Sequence, residues 1–131
     1  MKKDKPKIIP THNGLVRITT ITVKEVFDWI DENPRRIYWE RDGYRINTRR
    51  AKIFHKKGLI CVNCGCEGNF FALETDKGGG LHLDLYGHID KEEVLITIDH
   101  IVPKSKGGVN KMINFQTMCK LCNEMKADSD E

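Results

Sequence analysis

With 131 residues and a mass of 15.1 kDa, the chain is long enough for one domain that buries about two thirds of its unfolded surface, and 39% apolar with 31% charged residues excludes wholesale disorder. The longest mostly apolar run, residues 94–98, is far too short to cross a bilayer, and the basic start leads into no hydrophobic signal core, so no membrane association is expected and a cytoplasmic location is. The net charge of +3 is unevenly spread: residues 1–60 hold 15 Lys and Arg against 7 Asp and Glu, while the remainder is acidic, and a basic front half is a field suited to a polyanion.

Residues 1–13 carry Lys, Pro, Thr, His and Asn with little periodicity and read as a basic arm with a solvent-facing His12. Over residues 22–33, Val23, Val26, Phe27 and Ile30 recur at helical spacing, Thr22 can cap through Glu25, and Pro34 supplies a stop. Residues 37–46, with Tyr38, Trp39 and Tyr44 around a turn at Asp42 and Gly43, predict a small hairpin whose aromatics serve packing rather than base stacking. A second helix starts at Asn47 or Thr48 and ends at Gly58. It carries Arg49, Arg50, Lys52, Lys56 and Lys57, which cluster as candidate phosphate contacts. Residues 69–74 and 81–86 flank a glycine-rich turn and predict another hairpin, with Leu81, Leu83 and Leu85 packing and His82, Asp84 and Tyr86 on a polar face. A strand over residues 94–98 then runs into Asp99 and His100.

Four of the five cysteines form two CxxC pairs, Cys61/Cys64 and Cys119/Cys122, separated by 54 residues. In a chain without a signal peptide, paired spacing points to a reducing compartment and a metal rather than to disulfides. Zinc suits four thiolates held tetrahedrally, and Gly65 stands where the first knuckle needs backbone freedom. Such a site is closed. It holds the fold and cannot activate water, so any catalysis needs a separate site. Cys66 is left as a free thiol.

That second site is carried by DHIVPKSKGG, residues 99–108, and NFQTMCKLCNEMK, residues 114–126. The Asp-His pair, the Pro-x-x-x-Gly-Gly loop, the central Asn and the CxxCN-x-x-K ending occur together and in order. From Cys61 to Lys126 the chain resembles the zinc-bearing HNH endonucleases of bacteriophages and bacteria. From composition and periodicity alone, residues 1–60 are expected to form an N-terminal helical extension, a basic arm and helices packed on the rest of the chain as one compact domain. The resemblance implies an α+β fold with a ββα-metal core and a four-cysteine zinc element over residues 61–131. It also implies that His100 is the general base, that Asn114 braces the loop, and that Asp99 and Asn123 bind the catalytic ion, with Asn123 standing where many relatives carry histidine. Carboxylate and amide oxygens suit Mg²⁺ or Mn²⁺, and an imidazole near pKa 6.5 can take a proton from water. Lys104, Lys106 and Lys126 are further candidate phosphate contacts. The activity so implied is hydrolysis of DNA phosphodiesters to 5′-phosphate and 3′-hydroxyl ends, beside a larger phage packaging or DNA-processing partner. The alternative is a non-catalytic zinc-stabilised module that binds DNA or a protein. Because consecutive strand residues point to opposite faces, the strand is expected to end or kink at Asp99 and His100, with Pro103 leading the chain away.

Overall fold

The helical periodicity near the N-terminus translates directly into structure. In the computed structural model, which describes residues 9–10 and 14–129, helix α1 spans Val23–Glu32, and Thr22 Oγ1 accepts the Glu25 backbone N–H at 3.0 Å. Val26 and Ile30 form its buried stripe. Helix α2 spans Arg49–Lys57, buries Ala51 and Phe54, and stops at Gly58, whose φ of 100° is open to glycine. Between them, β3 (Tyr38–Arg41) and β4 (Tyr44–Asn47) form the expected hairpin around Asp42 and Gly43, both with positive φ. Trp39 is buried and stacks on Trp29, whereas Tyr38 is exposed beneath the guanidinium of Arg45. The basic arm, apart from residues 9–10, and His12 lie outside the described residues.

The second layer is one antiparallel sheet in the order β1-β2-β5-β6-β7-β8. Its strands are β1 (Ile9–Pro10), β2 (Val16–Thr22), β5 (Gly68–Thr75), β6 (Leu81–Ile89), β7 (Glu92–His100) and β8 (Phe115–Cys119), and α3 (Lys120–Ser129) follows the last. The core lies between the sheet and the first two helices, where Ile21, Val26, Phe54, Phe71, Leu73, Leu85 and Ile96 are buried together. The α+β class and the ββα unit, β7-β8-α3, are as expected.

One expectation is corrected and two are refined. The N-terminal part is not an appended helical extension, because β2 pairs with β5 from Val16↔Thr75 to Thr22↔Phe70 and is thereby part of the central sheet. The second face of β6 is polar, as expected, but it is packed rather than open. Asp84 and Tyr86 are buried there, with Tyr86 Oη donating to the fully buried Glu74 at 2.6 Å while Arg17 pairs with both Glu74 and Glu93. Finally, β7 ends at His100, within the expected pair, but it reaches that end without a kink. Its pairing with β8 continues regularly through Asp99↔Gln116 and His100↔Phe115, and Ile101 N–H still reaches Asn114 O at 2.8 Å.

Candidate active site and metal centre

The two CxxC knuckles converge. The Sγ atoms of Cys61, Cys64, Cys119 and Cys122 all lie within 4.8 Å of one another, with Cys64 and Cys119 at 3.7 Å. A tetrahedral Zn²⁺ with Zn–S bonds near 2.3 Å needs S···S separations of about 3.8 Å, so the donor set fits that ion. Gly65, with φ of 80°, donates its N–H to Cys61 O, and Val62 N–H bonds Thr117 O, tying the first knuckle to β8. Cys122 sits in the first turn of α3, so an ion held here fixes the helix to the strand before it. Burial alone would push the Cys61 thiol up, but backbone amides of Cys64, Cys119 and Asn63 aimed at its sulfur outweigh this and hold it down at about 6. Cys66 lies outside the cluster and faces His88 O at 3.8 Å. Burial pushes its thiol up.

A regular β7 places Asp99 and His100 on opposite faces of the strand. Asp99 faces α3. Its Oδ2 accepts from Gln116 Nε2 and from Lys126 Nζ, both at 2.8 Å, while no described group bonds its Oδ1. Asn123, one turn before Lys126, donates from Nδ2 to Thr97 Oγ1 at 2.9 Å, which turns its Oδ1 away from that bond. Thr97 and Asp99 are two apart on β7, and Asn123 and Lys126 are three apart on α3, so both candidate ligands belong to one strand–helix interface. Two oxygen donors of this kind fit a hard divalent ion that takes its remaining ligands from water and phosphate. Lys126, grouped with the phosphate contacts in the sequence, is bound to Asp99 and to the main-chain oxygen of His100.

His100 faces the other way, into an open cleft of about 540 Å³. The cleft exists because β6 and β7 pair only from Ile89↔Glu92 to Leu85↔Ile96 and then separate, leaving Leu81–Leu83 on one side and Ile98 and His100 on the other as its walls. Arg49 and Arg50, from the first turn of α2, line it together with His100, Asn110, His82 and Phe115. Arg50 is anchored at 2.9 Å on the buried Asp84, whose other oxygen, Oδ2, is the one buried side-chain polar atom without a partner among the described residues. Phe115 meets the His100 ring edge-on at 5.3 Å, and Asn110 Oδ1 lies 3.0 Å from His100 Nε2.

Asn114 is buried and uses its whole amide to brace the loop. Oδ1 accepts Val102 N–H at 2.8 Å, and Nδ2 donates to Val102 O and Val109 O. The two glycines of the motif have distinct reasons. Gly107 has a φ of +87°, and a Cβ on Gly108 would fall 1.8 Å from Val102 O. Residues 86–131, which contain this unit, match a known family. They form an HNH endonuclease family domain. No curated protein and no solved structure matches the chain. The HNH domain points to a nuclease, and the family implies a DNA substrate.

The remaining basic candidates are spread out. Lys52 reaches Pro34 O at 3.3 Å, Lys56 and Lys57 are exposed at the far end of α2, and Lys104 and Lys106 are exposed in a 3-10 turn of the loop, none of them lining the cleft. Sequence reasoning missed Asn110, Gln116 and the Asp84 anchor. Gln116 was signalled only by strand register, which placed it across from Asp99.

Proposed function

We propose that this protein is a metal-dependent endonuclease that hydrolyses DNA phosphodiesters and leaves 5′-phosphate and 3′-hydroxyl ends. The observation that carries the reading is the His100 imidazole facing a cleft whose wall holds two guanidiniums at the end of an HNH ββα unit. In this reading Arg49 and Arg50 draw the phosphate backbone into the cleft, and Asp84 holds Arg50 in place. His100 accepts the proton of the attacking water. Asp99 and Asn123 would hold Mg²⁺ or Mn²⁺, which when bound would supply neutralisation of phosphate charge. Gln116 and Lys126 grip one oxygen of Asp99 and so aim the other. Asn114 keeps the loop folded behind the site. Delivery of the DNA by a larger packaging or processing protein, and a cytoplasmic setting, belong to the same proposal.

The test is incubation of the purified zinc-loaded protein with supercoiled plasmid, with and without Mg²⁺ or Mn²⁺. Metal-dependent relaxed circles or linear DNA are the expected result. Binding without cleavage under every metal would replace the reading with that of a zinc-stabilised DNA-binding module.

A further inference from the structure

We infer that Asn110 is a positioning residue for His100: its side-chain oxygen accepts the imidazole Nε2–H, which fixes the tautomer and leaves Nδ1 as the atom that takes the proton. The inference deepens the nuclease reading above and rests on it. Its first support is direct geometry, since Asn110 Oδ1 and His100 Nε2 are 3.0 Å apart and both residues line the same cleft. Its second is the absence of a competitor. The groups that line the cleft with the ring include Arg49 and Arg50 from α2, His82 from β6 and Phe115 from β8, with Lys126 of α3 on the His100 carbonyl, and no described carboxylate is hydrogen-bonded to the imidazole. An amide oxygen therefore orients the ring without lending it a negative charge, the role that a third group plays for a catalytic histidine in general.

The third support explains why the loop is built as it is. Gly107 turns through positive φ and Gly108 presses against the Val102 backbone, where any Cβ would collide. Asn114 then clasps Val109 O at 2.8 Å and Val102 from both sides of its amide. Val109 is thus pinned from a buried anchor, and Asn110, the next residue, is delivered to the end of β7. The brace and the positioning residue are one device: Asn114 holds the backbone that holds Asn110 against His100.

The experiment compares wild type with Asn110→Ala and Asn110→Asp, the second keeping an oxygen acceptor at the same reach. Nitrogen-15 NMR of the His100 ring at alkaline pH, in the zinc-loaded protein without DNA or Mg²⁺, should show the Nε2–H tautomer in wild type and in Asn110→Asp, and a mixture in Asn110→Ala. Plasmid cleavage by Asn110→Ala should lose about ten- to hundredfold in kcat at nearly constant KM, as expected when an orienting partner is removed, with Asn110→Asp restoring most of it. Ring signals identical in wild type and Asn110→Ala, or an Nδ1–H ring in wild type, would overturn the assignment. The expected tautomers in a protein that cuts no DNA would support the orientation of the ring and overturn the nuclease reading, so the two failures are separable.

Discussion

His100 and Asp99 are adjacent in the chain yet project from opposite faces of β7, which assigns them different neighbours and different tasks in the proposed reaction. His100 contributes no formal positive charge when neutral, so His100→Ala should leave DNA affinity within about twofold while lowering the cleavage rate by about two to four orders of magnitude, the usual worth of a positioned general base. Single-turnover nicking and equilibrium binding on the same DNA measure the two effects separately. Asp99 is held differently, with an ammonium 2.8 Å from one of its oxygens. That cation opposes a second cation on the same carboxylate. Lys126→Met, which keeps the stem and removes the charge, should therefore raise Mn²⁺ affinity as read by electron paramagnetic resonance, at a Coulomb gain moderated by solvent. Unchanged affinity would mean that Asp99 does not bind the ion.

At the scale of elements, the position of α2 matters more than its overall charge. Its first turn lines the cleft through Arg49 and Arg50, while Lys56 and Lys57 lie at its other end. Neutralising one cation that pairs with a DNA phosphate should flatten the dependence of log K on log salt by about 0.7 to 0.9, so the Arg49→Gln, Arg50→Gln pair should reduce the slope by roughly 1.4 to 1.8 and Lys56→Gln, Lys57→Gln by almost nothing. Equal effects from both pairs would make the helix a uniform basic surface. The knuckles are elements of another kind, since their geometry depends on an ion that joins the 58–67 segment to β8 and α3. Purified protein should hold about one zinc per chain, and Cys122→Ser should lower the melting temperature sharply because metal binding contributes directly to folding. Both helices, both hairpins and the cysteine cluster were legible in the sequence, for local reasons: caps, turn residues and CxxC spacing each act within a few residues. The edge-to-centre placement of β2 was not legible, because it depends on pairing Val16 with Thr75 across more than fifty residues. Nor was the cleft, since no local signal marks where β6 and β7 stop pairing. The HNH residues could be read in order along the chain, but the opposite facings of Asp99 and His100 follow only from an unbroken strand register.

Across the whole molecule, a charge network couples β2 to the wall of the cleft. Arg17 on β2 lies over the Phe70 and Tyr86 rings and pairs with Glu93 on β7 and Glu74 on β5, while Glu74 adjoins Asp84 on β6, the anchor of Arg50. Burial, reinforced by the Asp84 carboxylate, pushes Glu74 up to about 7 against the opposing pull of Tyr86 Oη and Arg17. A carboxyl with a raised folded pKa binds more protons in the native state than in the unfolded one, so its contribution is fully present below about pH 4.5 and is lost as pH rises toward 7. Glu74→Gln keeps the shape and abolishes the titration. The difference in melting temperature between wild type and this variant should therefore move against the wild type as pH is raised from 5 to 8, with zinc held constant so that its own pH dependence cancels between the two proteins. Above pH 7, where wild-type Glu74 carries a buried negative charge beside Asp84, the glutamine variant should gain most relative to wild type. A difference that stays constant over that range would show that Glu74 does not exchange a proton there. The Arg17 guanidinium would then be fully balancing the charge, and the coupling from β2 to the cleft would be independent of pH.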